Sequence, residues 1–339
     1  MKKYILKKKI SLFFVMLIIL QACKKDPQVD SSSSSASGSS IQMDSVVATK
    51  DSVKVVVKES LPPAELEMGF YNAWVFPKDK KQKDSVFQLF NKKYSEEERY
   101  AILALNRLDS KHKYNADTLI VPAKVDPSLM EYSPFPKQID VLSGVNKFVV
   151  FSYPIQAFGV YSNGTLMKWG PTSMGTKAKP TRTGLTYANW KKELAISTVK
   201  SEWKLPYNFN IFNYDGIGWH QYDLPGYPAS HSCLRLLKED AIYLYKYADT
   251  WILNPGGATT KARGTAVLVY GSYPWGKQKP WRKLLNDPTA NNVSIEEMTN
   301  MIEPHIDKIL SEQANRIKVS DSIKLAKEAA KSIAADSVN

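Results

Sequence analysis

The sequence predicts a mainly β domain, a sandwich or a barrel, with a small α/β module before it and a helical extension after it. Three observations carry that prediction. From about residue 146 the chain breaks into short apolar runs separated by Gly, Pro and Asn. The two best-marked amphipathic helices flank that stretch, near residues 95–108 and 294–310. With 339 residues and 43% apolar content, the chain is a folded globular one with room for one large domain or two modest ones.

Taken in order, the first segment is not part of the fold. Lys2, Lys3, Lys7, Lys8 and Lys9 precede the apolar run from Ile10 to Leu20. That run is about half the ~20 residues a membrane-crossing helix needs, so residues 1–22 read as an export signal. Leu20-Gln21-Ala22-Cys23 resembles a bacterial lipobox. The resemblance implies cleavage before Cys23, acylation of its thiol, and an envelope protein held on the periplasmic face of a membrane by lipid, with Lys24 favouring an outer membrane where there are two. An ordinary signal peptide is the alternative. The formal charge of +13 loses five lysines with the signal and becomes +8. That surplus suits an anionic membrane or a glycan mesh bearing carboxylates. Nucleic acid is not expected as a partner, since no motif for it is present.

Residues 23–63 read as a flexible tether, because Ser31 to Ser40 is serine with one alanine and one glycine. Pro62-Pro63 marks the approach to ordered structure. Residues 64–130 form the small module. In it Ser95 and Glu98 fit a capping box before Ile102, Leu103, Leu105 and Leu108, and Asp117 to Pro122 turns into a strand. The pair of segments Ala104–Leu108 and Asp117–Pro122 resembles the second half of a lysin motif, which implies glycan binding. A helical spacer packed on the next domain is the alternative. Residues 146–271 hold the β domain, with strands at 147–151, 156–161 and 262–270 and a tight turn at Ser162-Asn163-Gly164. Residues 290–339 are helical. Ser294 and Glu297 cap the first turn, Pro304 interrupts the helix, and the last twenty residues are expected to fray.

The chemistry concentrates in a few residues. Of two cysteines and four histidines in the chain, Cys233, His220 and His231 fall within fourteen residues. If Cys23 is acylated, Cys233 is an unpaired thiol in an oxidising compartment; a Cys23–Cys233 disulfide is the competing account. A thiol of pKa about 8.5 is mostly protonated at neutral pH and needs a base beside it to act as a nucleophile. The bland alternative makes Cys233 a buried small hydrophobe. A zinc site of His220, His231 and Cys233 is a sharper rival, though no fourth ligand is evident. A serine hydrolase is a weaker rival still, for there is no Gly-x-Ser-x-Gly elbow. No cofactor or metal is called for, and His112 and His305 read as surface groups.

The run Ser230-His231-Ser232-Cys233-Leu234-Arg235, with His220 upstream, resembles the L,D-transpeptidase catalytic domain family. Thr181-Arg182-Thr183-Gly184 resembles the family's Thr-Pro-x-Gly segment, and Met174-Gly175-Thr176 its Ser-x-Gly strand end. Two positions depart: Ser232 replaces a glycine, and the gap from His220 to Ser230 is short. The resemblance implies an L,D-transpeptidase-like sandwich or barrel in which Cys233 attacks a peptidoglycan stem tetrapeptide at its third residue, releases the terminal D-Ala and forms a thioester. A second stem's amine then gives a 3→3 cross-link, or water gives a carboxypeptidase product. His220 is implied as general base and acid, with the Gln221 carbonyl fixing its tautomer. His231 and Ser232 shape the site. The amides of Ser232 and Cys233, leading into a helix from Leu236 to Tyr245, stabilise the oxyanion. Trp219, Ser230 and Arg235 contact substrate, Arg235 through a carboxylate. The other function class is a non-enzymatic wall-binding lipoprotein. The sequence implies no oligomeric state.

Overall fold

The computed structural model describes residues 70–336, with side chains to Ile333. The export signal, Cys23, the tether and Pro62-Pro63 lie outside the described residues.

The first unit is a strand–helix–helix–strand: β1 (Tyr71–Val75), α1 (Lys80–Lys93), α2 (Glu96–Leu105) and β2 (Thr118–Pro122). β1 and β2 pair antiparallel. Asp79 caps α1 by accepting from the Gln82 amide. The expected capping box opens α2, with Ser95 and Glu98 satisfying each other's backbone amides. Phe87, Phe90, Ile102 and Leu119 bury their side chains between the helices and the sheet.

The β domain follows with β3 (Phe148–Ser152), β4 (Ala157–Ser162), β5 (Thr165–Ser173), β6 (Gly184–Tyr187), β7 (Lys191–Ile196), β8 (Lys204–Phe212), β9 (Ile217–Gln221) and β10 (Leu234–Leu236). Then come α3 (Lys238–Tyr247), the short pair β11 (Ile252–Leu253) and β12 (Thr260–Ala262), and β13 (Ala266–Tyr270). Nine strands form one sheet in the order β6-β13-β3-β4-β5-β10-β9-β8-β7. The sheet curls until the chain after β6 meets β8: the Asn189 amide donates to Asn210 O (2.8 Å), and the Asn210 amide to Trp190 O (2.9 Å). The result is a half-barrel, in line with the mainly β expectation. Asn163 (φ 48°) and Gly164 (φ 79°) make the predicted tight turn between β4 and β5.

Alternation explains why the central strands are apolar on both faces. Val149, Phe151, Val267 and Val269 join Phe209, Trp219, Leu234 and Leu236 in one core, which α3 closes through Ala241 and Leu244. Phe148, Val150, Ala266 and Leu268 point the other way, onto Met298, Ile302 and Ile309. Those last residues belong to α4 (Ile295–Ile302) and α5 (Ile306–Asp336), so the C-terminal extension is the cover of one sheet face. A tight turn at Glu303–His305, containing Pro304, interrupts the helix where proline removes a backbone donor. α5 continues to Asp336. No helix among the described residues is long and apolar enough to cross a membrane.

One buried cation ties the N-terminal unit to the sheet. Arg107 is 1% exposed, and its guanidinium lies over the rings of Trp169 (5.6 Å) and Trp281 (5.3 Å). It donates to Ile155 O (3.0 Å) and Leu105 O (2.6 Å). Burial pulls its pKa down to about 9, against the pull of Tyr71 and Tyr273.

Candidate active site

The site is built on the curled face of three adjacent strands. β10 pairs parallel with β9, which sets Arg235 opposite His220, and β9 pairs antiparallel with β8, which sets Trp219 opposite Phe209. Counting on from those pairs places Asn208 beside His220, so Arg235, His220 and Asn208 form a row on the face opposite Trp219. The same ladder, extended one step before β10, brings Cys233 beside Gly218. Strands lie about 4.8 Å apart and side chains two residues apart share a face, so the ladder puts His220 and Cys233 on the same face of neighbouring strands, diagonal to each other. Cys233, His220, Arg235 and Asn208 all line one cleft of about 550 Å³.

Gly218 has no room for a side chain, since a Cβ there would lie 2.3 Å from Phe209 O. Its bare backbone is what the thiol meets. Burial pushes the Cys233 thiol up, while the Gly218 backbone and the Arg235 guanidinium draw it down by less. The residue remains partly exposed and its thiol is free.

His220 is 3% exposed. Its Nδ1 lies 3.0 Å from the carbonyl of its neighbour Gln221, the expected tautomer lock. With Nδ1 carrying the proton, Nε2 keeps a lone pair. Burial pulls the imidazole pKa down to about 4; the Gln221 carbonyl raises it and Arg235 lowers it further. The resting pair is therefore neutral imidazole and protonated thiol. Arg235 stacks on Tyr222 at 4.6 Å, and burial lowers its pKa.

The loop that carries the thiol is braced from below. The Ser230 amide donates to Met174 O, and the Thr176 amide to Ser230 O (both 3.0 Å). Thr181 Oγ1 donates to Ser232 O (2.8 Å) and accepts from the Gly175 amide (2.9 Å). The three segments matched separately in the sequence thus meet at one loop. Gly175 is obligatory there: a Cβ would lie 2.3 Å from Lys179 O. Ser232 has φ 82°, the left-handed region its glycine-like position demands, at a cost of roughly 1–2 kcal/mol for a residue with a Cβ.

Four expectations need correction. Trp219 does not contact substrate: it is fully buried, packed between Phe151 (5.9 Å) and Phe209 (4.9 Å), because strand alternation turns it away from His220. Ser230 lines the cleft, yet it is 2% exposed and spends its hydroxyl on the Cys233 carbonyl, so its visible work is to hold the loop. The amides of Ser232 and Cys233 do not lead into a helix. The strand β10 intervenes and α3 starts at Lys238. His112 is not a free surface group; its Nδ1 is 2.8 Å from Asp109 Oδ1.

His231 is exposed and meets the ring of Trp203 edge-on at 5.0 Å, on the turn between β7 and β8. His220, His231 and Cys233 do not cluster as metal ligands among the described residues. The group that does is Asp109, His112 and Asp223, with ligand atoms within 4.8 Å of one another. Its oxygens are already engaged: Asp109 accepts from the Leu224 amide (2.6 Å), and Lys111 lies 3.2 Å from Asp223. It works as a clasp on the segment after β9, through Asp223 and the Leu224 amide.

Sequence reading missed Asn208, Tyr222 and Trp203. Their signal is positional: Asn208 lies within β8, and Trp203 and Tyr222 lie just outside the ends of β8 and β9.

Residues 146–269 match the YkuD family, the L,D-transpeptidase catalytic domain. No curated protein matches the chain. Among solved structures, an L,D-transpeptidase from Stackebrandtia nassauensis is similar at 25% identity, covering 38% of this chain and 57% of that one, with a TM-score of 0.31. One from Mycobacterium tuberculosis is similar at 22% identity, covering 37% and 58%, with a TM-score of 0.30. One from Mycobacterium smegmatis is similar at 18% identity, covering 37% and 59%, with a TM-score of 0.30. The matched region spans under two thirds of each of these chains.

Proposed function

We propose, for a chain whose residues 146–269 match the L,D-transpeptidase catalytic domain, that Cys233 carries the acyl group of a peptidoglycan stem peptide as a thioester. The observation that carries this is the shared cleft: the one described thiol and a buried imidazole with its Nδ1 already committed face the same 550 Å³ space.

As the sulfur attacks the carbonyl carbon of the third stem residue, its proton passes to His220 Nε2. The C–N bond to the terminal residue then breaks and that amine leaves with the proton. In the second half an acceptor amine attacks the thioester carbon, gives a proton to His220, and the sulfur takes it back as the C–S bond breaks. Water in place of the amine gives the hydrolytic product. Because His220 is held neutral, proton transfer accompanies attack and does not precede it. Arg235, stacked on Tyr222, supplies positive charge for a stem carboxylate.

Product analysis on a defined disaccharide-tetrapeptide tests this. Release of the terminal residue with formation of dimer or tripeptide is expected, and Cys233→Ala should release none. Turnover in Cys233→Ala would exclude the thioester route. The raised thiol and the strained Ser232 favour a second proposal, a wall-binding lipoprotein without turnover; peptide binding with no released residue would support it.

Anchoring by lipid on Cys23, on the periplasmic face of an envelope membrane, belongs to the same proposal. Cys23→Ser should leave an uncleaved precursor without lipid label, and normal labelling would exclude it.

A further inference from the structure

A second groove, of about 780 Å³, meets the cleft at Tyr222, which lines both. Its walls come from two parts of the fold. The N-terminal unit supplies one face of α2, where Glu96, Tyr100 and Leu103 fall at helical spacing, and the turn from Leu108 to Lys113. The sheet domain supplies Gln221 to Asp223 and the start of α3 at Leu237 to Glu239.

The floor is apolar, with Phe90, Leu103, Leu108 and Leu237 buried. The rim carries both signs of charge, Glu96, Asp223 and Glu239 against Lys111, Lys113 and Lys238. Lys111 and Asp223 pair at 3.2 Å. Glu96, Lys238 and Glu239 are exposed, and no ion pair among the described residues engages them. An apolar floor, a charged rim and this volume are the anatomy of a ligand cleft.

We propose that this groove holds the second stem peptide, the one that supplies the acceptor amine. The inference rests on the transpeptidase proposal. The proposed cross-linking needs an acceptor peptide beside the acyl group, and the first cleft is the one Cys233 lines, which leaves the adjoining groove for the acceptor. The acceptor carries an ammonium and carboxylates together, which matches a rim of mixed sign. A polyanion alone would select a uniformly basic groove. Asp223 joins the two sites, since its side chain lines the groove while its carbonyl accepts from Arg235 Nη1 at 3.4 Å. The clasp of Asp109 on the Leu224 amide holds the shared wall against the N-terminal unit.

The test uses the mature protein with its first cleft blocked by a carbapenem adduct on Cys233. A soluble disaccharide-tetrapeptide is titrated onto the adduct by calorimetry. Saturable binding is expected, weakened about tenfold in the double variant Lys238→Ala/Glu239→Gln and lost in Ser110→Trp, which fills the groove. No binding to the adduct, or equal affinity in the wild type and both variants, overturns the groove. If no adduct forms, Cys233 as acyl carrier is what fails. The same titration on unmodified protein then decides the groove by whether those variants change the affinity.

Discussion

His220 and Cys233, the pair on which the proposed reaction rests, show opposite effects of one cause. Burial removes water from both groups and so favours their neutral forms, lowering the imidazole to about 4 and raising the thiol. A thiolate–imidazolium pair would alkylate at a rate independent of pH between its two pKa values. Here the rate of Cys233 modification by iodoacetamide should climb by about tenfold per pH unit through the neutral and alkaline range, without levelling below pH 9. A flat profile from pH 5 to 8 would mean that the ion pair forms at rest. Ser232 offers a second residue-level prediction. Ser232→Gly removes a Cβ from a backbone at φ 82° and should stabilise the fold by about 1 kcal/mol, since glycine's greater unfolded freedom offsets part of the relief. A fall in thermal midpoint would show that the Ser232 Oγ contact with Lys179 O (3.3 Å) outweighs the strain.

At the scale of elements, the thiol loop depends on close approaches that only glycine permits. In Gly218→Ala the new methyl would meet the β8 backbone at Phe209 O, so β8 and β9 must separate beneath the thiol. A loss of about 2–3 kcal/mol of stability is expected in urea unfolding, with slower Cys233 acylation; unchanged stability would mean that the register shift between Asn210 and Phe212, where β8 pairs with β9, absorbs the methyl. The same elements show what the sequence made legible. Ser230 to Arg235 with His220 stood out because thiols and imidazoles are scarce and sit close in the chain, and Ser95–Glu98 and Asn163-Gly164 stood out because capping and tight turns need only local residues. Trp219 was misplaced because an aromatic beside a histidine reads the same in or out of the core until the register of β9 is known. The expected helix does follow the thiol as α3, but its start was set too early for a related reason: Leu234-Arg235-Leu236 is short enough to be strand or helix, and its pairing with β5 and β9 decides. Asn208 joins the site only through pairing across three strands, which no local pattern encodes.

Across the whole molecule, two buried groups oppose each other in acid. His220 takes a proton at 6.5 when unfolded and near 4 when folded, so its contribution to stability is lost as pH falls from 6.5 toward 4. Asp240 is fully buried, 2.8 Å from Lys168, and burial raises its carboxyl from 3.8 to about 6 despite that lysine. Its contribution is present at low pH and is lost as pH rises from 3.8 through 6. Each amounts to about 3 kcal/mol, so the two nearly cancel. Relative to wild type, Asp240→Asn should lose stability toward pH 4 and His220→Asn toward pH 6; parallel urea-unfolding profiles would contradict both assignments.

The central claim is that one sulfur in this molecule accepts an acyl group. Intact-mass measurement after exposure to a carbapenem, followed by peptide mapping, reads it directly. A single adduct on the peptide containing Cys233, absent in Cys233→Ala and slowed in His220→Asn, is the predicted result. An unmodified protein, or an adduct that persists without that sulfur, would contradict it.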